Sequence, residues 1–154
     1  MSVNNVQSNF SNGMSYSANL VSTTIPTQSL VPIQAITAAT TLTPTQSGST
    51  FTVSQATAYA ITLPALQNGL NYKFICSTTG AHTVAITSTA ANIVGFAMFG
   101  PNATVKSSHS AGTATVNFAT GAAGVGDVIY IHCDGSNWFA QGLSGSNTTG
   151  ITFA

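Results

Sequence analysis

Asp127, His132, Cys133 and Asp134 crowd into one stretch, GDVIYIHCDGSNWFAQG, running from Gly126 to Gly142. These are residue types that ligate metals, relay protons and attack carbonyl carbons. The stretch holds both acidic residues of the chain, one of its two cysteines and its only tryptophan. Spacing decides whether they can act together. Val128 to Cys133 reads as a strand, so His132 and Cys133 point to opposite faces. That parity rules out a shared metal ion and a Cys–His nucleophile–base pair unless a bulge intervenes. His132 and Asp134 share a face, but a His/Asp pair without a third group is neither a zinc site nor a triad. Asp134-Gly135 between two apolar runs is a strong hairpin signal, and it predicts that the Asp134 carboxylate bonds the turn's own N–H groups. Asp127, just after Gly126, reads the same way, as a residue that closes a turn.

Other chemistry fares no better. The three histidines, His82, His109 and His132, lack zinc-motif spacing, and only a three-fold axis could bring copies of one of them together. The glycines of TGAAGVGD are followed by a strand pattern, not by the helix a dinucleotide fingerprint needs. No G-x-S-x-G elbow occurs. The sequence predicts no catalytic, cofactor-binding or metal-ligating residues, and a protein that is not an enzyme.

The elements that carry this stretch belong to a chain of unusual composition. Only 3% of its 154 residues are charged, namely Lys73, Lys106, Asp127 and Asp134. Ordinary domains carry about 25%. Two lysines cannot neutralise a phosphate backbone or form a polybasic membrane patch, so neither nucleic acid nor a membrane surface is expected as partner. A zero net charge leaves association unopposed, which suits an assembled subunit better than a free monomer. No apolar run reaches the length of a membrane helix, and MSVNNVQSNFSNG lacks the basic start and apolar run of a signal peptide. The expected source is intracellular, or a mature product after signal removal. Cys76 and Cys133 could form one bridge or remain two buried thiols.

Residues 1–35 are rich in Ser, Asn and Gln, carry Pro26 and Pro32 and show no sustained period, so they read as an extended N-terminal arm. From residue 36 to 154 short strands alternate with turn signals. Tyr59, Ile61 and Leu63 share one face of AYAITLP. Leu70, Tyr72, Phe74 and Cys76 share one face of LNYKFICS, with Asn71, Lys73 and Ile75 on the other. Val84 and Ile86 alternate with polar neighbours, as do Val116 and Phe118. No window shows helical periodicity. The expectation is an all-β domain, a single β-sandwich of about eight to ten strands, with a jelly roll as the first choice of topology and a parallel β-solenoid as the main alternative. Val128–Cys133 is apolar on both faces and should lie at the centre of a sheet or at a subunit contact. Trp138 and Phe139 begin its return strand. Val128, Tyr130 and Trp138 are the candidate subunit contacts.

The order TLTPTQSGSTFTV, ITLPALQNGLNYKFI, NIVGF, GDVIYIHCDGSNWFAQG and GITFA resembles small β-rich virion proteins of tailed bacteriophages and other large DNA viruses. Such proteins decorate capsids or form distal fibre modules. The likeness covers roughly residues 36–154 and rests on turn and core patterns. It implies a structural role in the virion, on the capsid surface or in a fibre, as a homo-oligomer with a trimer favoured. The implied partners are the major capsid protein or neighbouring virion subunits. Two other roles fit the composition: a glycan-binding fibre tip or adhesin, and an extracellular filament subunit assembled by strand exchange.

Overall fold

The computed structural model describes residues 33–100, 106–146 and 149–154, all within one folding unit. Most of the expected arm therefore lies outside the described residues. Gln34–Ile36 does not: it forms the first strand, β1, so the sheet takes in the end of the segment read as arm. The described residues form twelve strands and one short 3-10 turn at Pro44–Gln46.

The chain begins by alternating between two sheets. β1 lies in the first sheet and β2 (Thr40–Thr41) in the second; β3 (Thr50–Ser54) returns to the first and β4 (Tyr59–Thr62) to the second. The alternation continues with β5 (Asn71–Thr78) and β6 (Val84–Thr87). β1, β3 and β5 pair in parallel, and so do β2, β4 and β6. These six strands are thus three rungs of a flattened parallel coil. Six further strands follow: β7 (Ile93–Phe99), β8 (Lys106–Thr113), β9 (Thr115–Phe118), β10 (Val128–Cys133), β11 (Trp138–Ser144) and β12 (Ile151–Phe153). They extend both sheets mainly by antiparallel pairing, with β7 and β11 the parallel exception. Sheet A runs β1-β3-β5-β10-β11-β7-β8 and sheet B runs β12-β9-β6-β4-β2.

The expected all-β sandwich is present. Its path departs from a jelly roll, whose Greek keys are antiparallel; the first half has the parallel coiling of the solenoid alternative. The strand count also exceeds the expected eight to ten, because β1 and β2 are three and two residues long and carry no alternation to read.

Alternation explains which residues fill the space between the sheets. In β5, Tyr72, Phe74 and Cys76 point inward and Asn71, Lys73 and Ile75 point outward, as the sequence predicted. Phe51, Phe74, Tyr72 and Trp138 form an aromatic chain, with centroids 5.7 Å apart for Phe51–Phe74, 6.5 Å for Phe51–Tyr72 and 6.1 Å for Tyr72–Trp138. Such offset or tilted pairs add stability beyond their buried area. On sheet B, Ile61, Val84, Ile86, Val116, Phe118 and Ile151 supply the facing layer. Among the described residues Gln55 is the most completely buried of four buried polar ones, with Ser49, Asp127 and Ser144. Its Nε2 donates to the carbonyls of His82 (2.9 Å), Ala119 (3.0 Å) and Phe118 (3.3 Å), tying the end of β3 to the turns that flank β6 and β9.

Candidate functional site

The stretch that gathers the rare residues is the β10–β11 hairpin, which sits in the middle of sheet A. β10 pairs with β5 on one side and β11 on the other, and β11 pairs with β7. The turn forms as the sequence predicts. Asp134 Oδ1 accepts the N–H groups of Ser136 and Asn137, each at 2.7 Å, while Gly135 supplies the positive φ of 94°. Those N–H groups, Asn137 first and Ser136 second, hold the Asp134 carboxyl below its ordinary value of 3.8.

Asp127 does more than close a turn. It is buried, and its carboxylate takes three donors: Gly124 N–H to Oδ2 at 2.9 Å, Ser144 Oγ to Oδ2 at 2.6 Å, and Gly145 N–H to Oδ1 at 2.8 Å. The first closes the turn into β10. The other two reach the far end of β11, so a single carboxylate pins both ends of the hairpin together. Gly150 packs against this pin, because a Cβ there would overlap Ser144 Oγ and Asp127 Oδ2. A carboxylate whose surroundings are donors from its own chain is a structural hub, not a proton relay to an outside molecule.

Strand parity separates the remaining pair. His132 is exposed on the outer face, and Cys133 is buried with its sulfur accepting Gly135 N–H at 3.3 Å. Cys76 and Cys133 are both free thiols. Burial pushes the Cys76 thiol up, with nearby Asp127 acting in the same direction, so its nucleophilic form is suppressed. Among the described residues no three His, Cys, Asp or Glu side chains gather as a metal site would. His82 is exposed, and the side chain of His109 lies outside the described set. A shallow recess of about 340 Å³ beside β1 is lined by Gln34, Thr37, Thr40, Leu42, Gln46 and Phe51 among others, and none of its lining residues titrates.

What the hairpin does present is a surface. Register places three rows across the outer face of β5, β10, β11 and β7: Ile75–Val128–Leu143–Met98, Lys73–Tyr130–Gln141–Phe96 and Asn71–His132–Phe139–Val94. Eight of these twelve positions are apolar or aromatic. Phe96, Met98, Phe139 and Leu143 are 38%, 41%, 42% and 50% exposed, which is unusual for large apolar side chains set side by side. The single charge among them, Lys73, lies over the Tyr130 ring with Nζ 5.2 Å from its centroid. The outer face of sheet B is the opposite in character. Thr41, Thr62, Thr87 and Thr115 stand in one row across it, and Ala60, Ala85, Asn117 and Thr152 in the next.

Two of the three residues singled out from the sequence, Val128 and Tyr130, belong to the apolar face and are half-buried. The third does not. Trp138 is fully buried between the sheets, so its side chain cannot touch a neighbouring subunit. The inward parity of β11 puts Trp138, Ala140 and Gly142 on the core side and Phe139, Gln141 and Leu143 outside. β10 lies at the centre of sheet A, one of the two places its apolar faces predicted, with its inner side buried and its outer side part-exposed. Sequence reasoning missed Phe96, Met98 and Leu143. The usable signal was the run IVGFAMFG, apolar at both parities like VIYIHC.

No protein-family model, curated protein or solved structure matches the chain.

Proposed function

We propose that this protein is a structural subunit of a virion, a capsid decoration or minor capsid protein that works by binding and self-association. The observation that carries the reading is the apolar outer face of sheet A on a chain with almost no charge. Water-exposed patches of this kind mark contact surfaces, and a neutral chain meets its own copies without repulsion. The polar, threonine-lined face of sheet B leaves one side suited to solvent. The resemblance in strand and turn order to small β-rich virion proteins supplies the setting, and the partners are copies of the chain and the major capsid protein.

Two experiments separate this from the other roles. Capsid shells assembled without the protein should take it up from solution at similar levels in 50 mM and 1 M NaCl at constant pH, since the contacts are not ionic. Strong loss of uptake at high salt, or no uptake, contradicts the reading. Deletion of residues 1–32 should leave self-association intact, whereas a filament built by strand exchange would fall apart. A glycan-binding role has less support: Trp138 is buried, and the Tyr130 ring is already engaged by Lys73.

A further inference from the structure

The apolar face has a size, a pattern and a charge that specify its occupant. Strands stand about 4.8 Å apart and outward residues about 6.7 Å apart along them, so each outward position covers roughly 30 Å². The eight apolar positions on β5, β10, β11 and β7 then make a flat centre of about 250 Å². The whole seven-stranded face of sheet A, with strands about 20 Å long, offers roughly 700 Å². That approaches the ~800 Å² per partner of a standard interface.

The layout also follows the anatomy of an interface. Aromatic and aliphatic side chains hold the centre: Phe96, Tyr130, Phe139 and Leu143. Thr50, Thr52 and Ser54 of β3, with Asn71, form a polar margin on one side. An apolar centre with a polar rim is the arrangement that excludes water from anchor residues.

Charge narrows the partner. The four central strands carry one charged outward side chain, Lys73, and it is set on β5 to one side of the centre. An oppositely charged partner would gain little here. An equally neutral sheet face pairs with it at no electrostatic cost, and the chain itself provides such a face. When two copies pack about a two-fold axis that runs in the interface along β11, the two Lys73 side chains, each two strands from β11, fall on opposite sides of that axis and do not confront each other.

We infer that the outer face of sheet A is a homotypic interface: two copies of this chain stack sheet on sheet through Ile75, Val94, Phe96, Met98, Tyr130, Phe139 and Leu143, an isologous contact. The pairing is the sheet-packing geometry of a β-sandwich extended by one layer. It rests on the self-association in the proposed function and gives that association a surface and a symmetry. A two-fold contact at this face makes the elementary unit a dimer, in place of the trimer that the resemblance implies.

The test is the mass of the full-length chain in solution, by sedimentation equilibrium from 1 to 100 µM. The wild type should reach twice the 15.6 kDa chain mass. Phe139→Lys combined with Leu143→Lys should weaken the dimer by at least about 100-fold, because lysines would be buried against an apolar face. Thr62→Lys on the outer face of sheet B should leave it unchanged. Trp138 fluorescence reports folding in each variant, and the milder pair Phe139→Gln with Leu143→Gln should weaken the dimer in the same direction if the lysine variant does not fold. A wild type that stays monomeric at 100 µM overturns the inference, whether residues 1–32 of the same chain or a different protein covers the face. A trimer overturns it as well, and so does a dimer indifferent to Phe139 and Leu143. Capsid uptake is read separately, so a monomer that still binds shells removes this interface and leaves the structural role standing.

Discussion

Replacing Asp127 with Asn tests whether this carboxylate is a pin or a spare turn residue. The change keeps shape and removes charge. Gly124 N–H and Gly145 N–H bond different oxygens of the carboxylate, Oδ2 and Oδ1 respectively. An Asn amide has one oxygen, so either orientation turns its NH₂ toward one of these backbone donors. Ser144 can adapt, because a hydroxyl can donate or accept. One part-buried N–H therefore loses its acceptor whichever way the amide points, at a cost of about 1–2 kcal/mol. The surviving bonds also lose their charged acceptor, which is worth about 1 kcal/mol each. The sum is about 3–4 kcal/mol. For a chain of this length that lowers Tm by about 10 °C. Urea and thermal unfolding, followed by the fluorescence of buried Trp138, measure it at matched protein concentration, since self-association contributes to apparent stability. Ser144→Ala combined with Asp127→Asn should be non-additive by about 1 kcal/mol or more. A loss under about 1 kcal/mol for Asp127→Asn, with simple additivity, would refute the pin.

Two other perturbations follow from the same geometry. The Asp134 carboxyl is held below 3.8 by Asn137 and Ser136 N–H groups, so its contribution is fully present above the unfolded value and is lost as pH falls through the folded one. Urea midpoints should therefore drop below about pH 4, and the gap between wild type and Asp134→Ala should close over that range; a gap that stays constant to pH 2 contradicts it. Gln55→Leu takes the side-chain donor from the carbonyls of His82, Phe118 and Ala119, of which Ala119 still accepts from the N–H groups of Ala122 and Ala123, while removing a side-chain oxygen that has no hydrogen-bond partner among the described residues. A net loss of about 1–2 kcal/mol is expected in urea titrations with unchanged slope, and a neutral outcome would show that the carbonyls of His82 and Phe118 find other donors.

Much of the architecture was legible because strand parity is local. Inward Tyr72, Phe74 and Cys76, inward Val84 and Ile86, and the Asp134-Gly135 turn follow from alternation and turn chemistry alone. Strand neighbours are a different matter. Alternation tells which face a residue takes but not which strand lies beside it, so the parallel coil of β1 to β6 left no signature distinguishing it from an antiparallel sandwich. Asp127 reads as a turn residue because it follows Gly126; Ser144 and Gly145 meet it only after β11 returns. Trp138 failed as a contact for a simple reason. A large aromatic next to a turn could face either way, and the register Cys133–Trp138 fixes it inward. That same register exposes Phe139, and with it the apolar face.

The proposed role makes this chain a stoichiometric part of a particle, held by neutral surfaces. Quantitative mass spectrometry of purified virions, paired with symmetry-resolved imaging of the shell, measures that directly. The expected result is a fixed copy ratio to the major capsid protein, with the outer face of sheet A covered in every copy. Finding the chain abundant in producing cells and absent from the purified particles would contradict it.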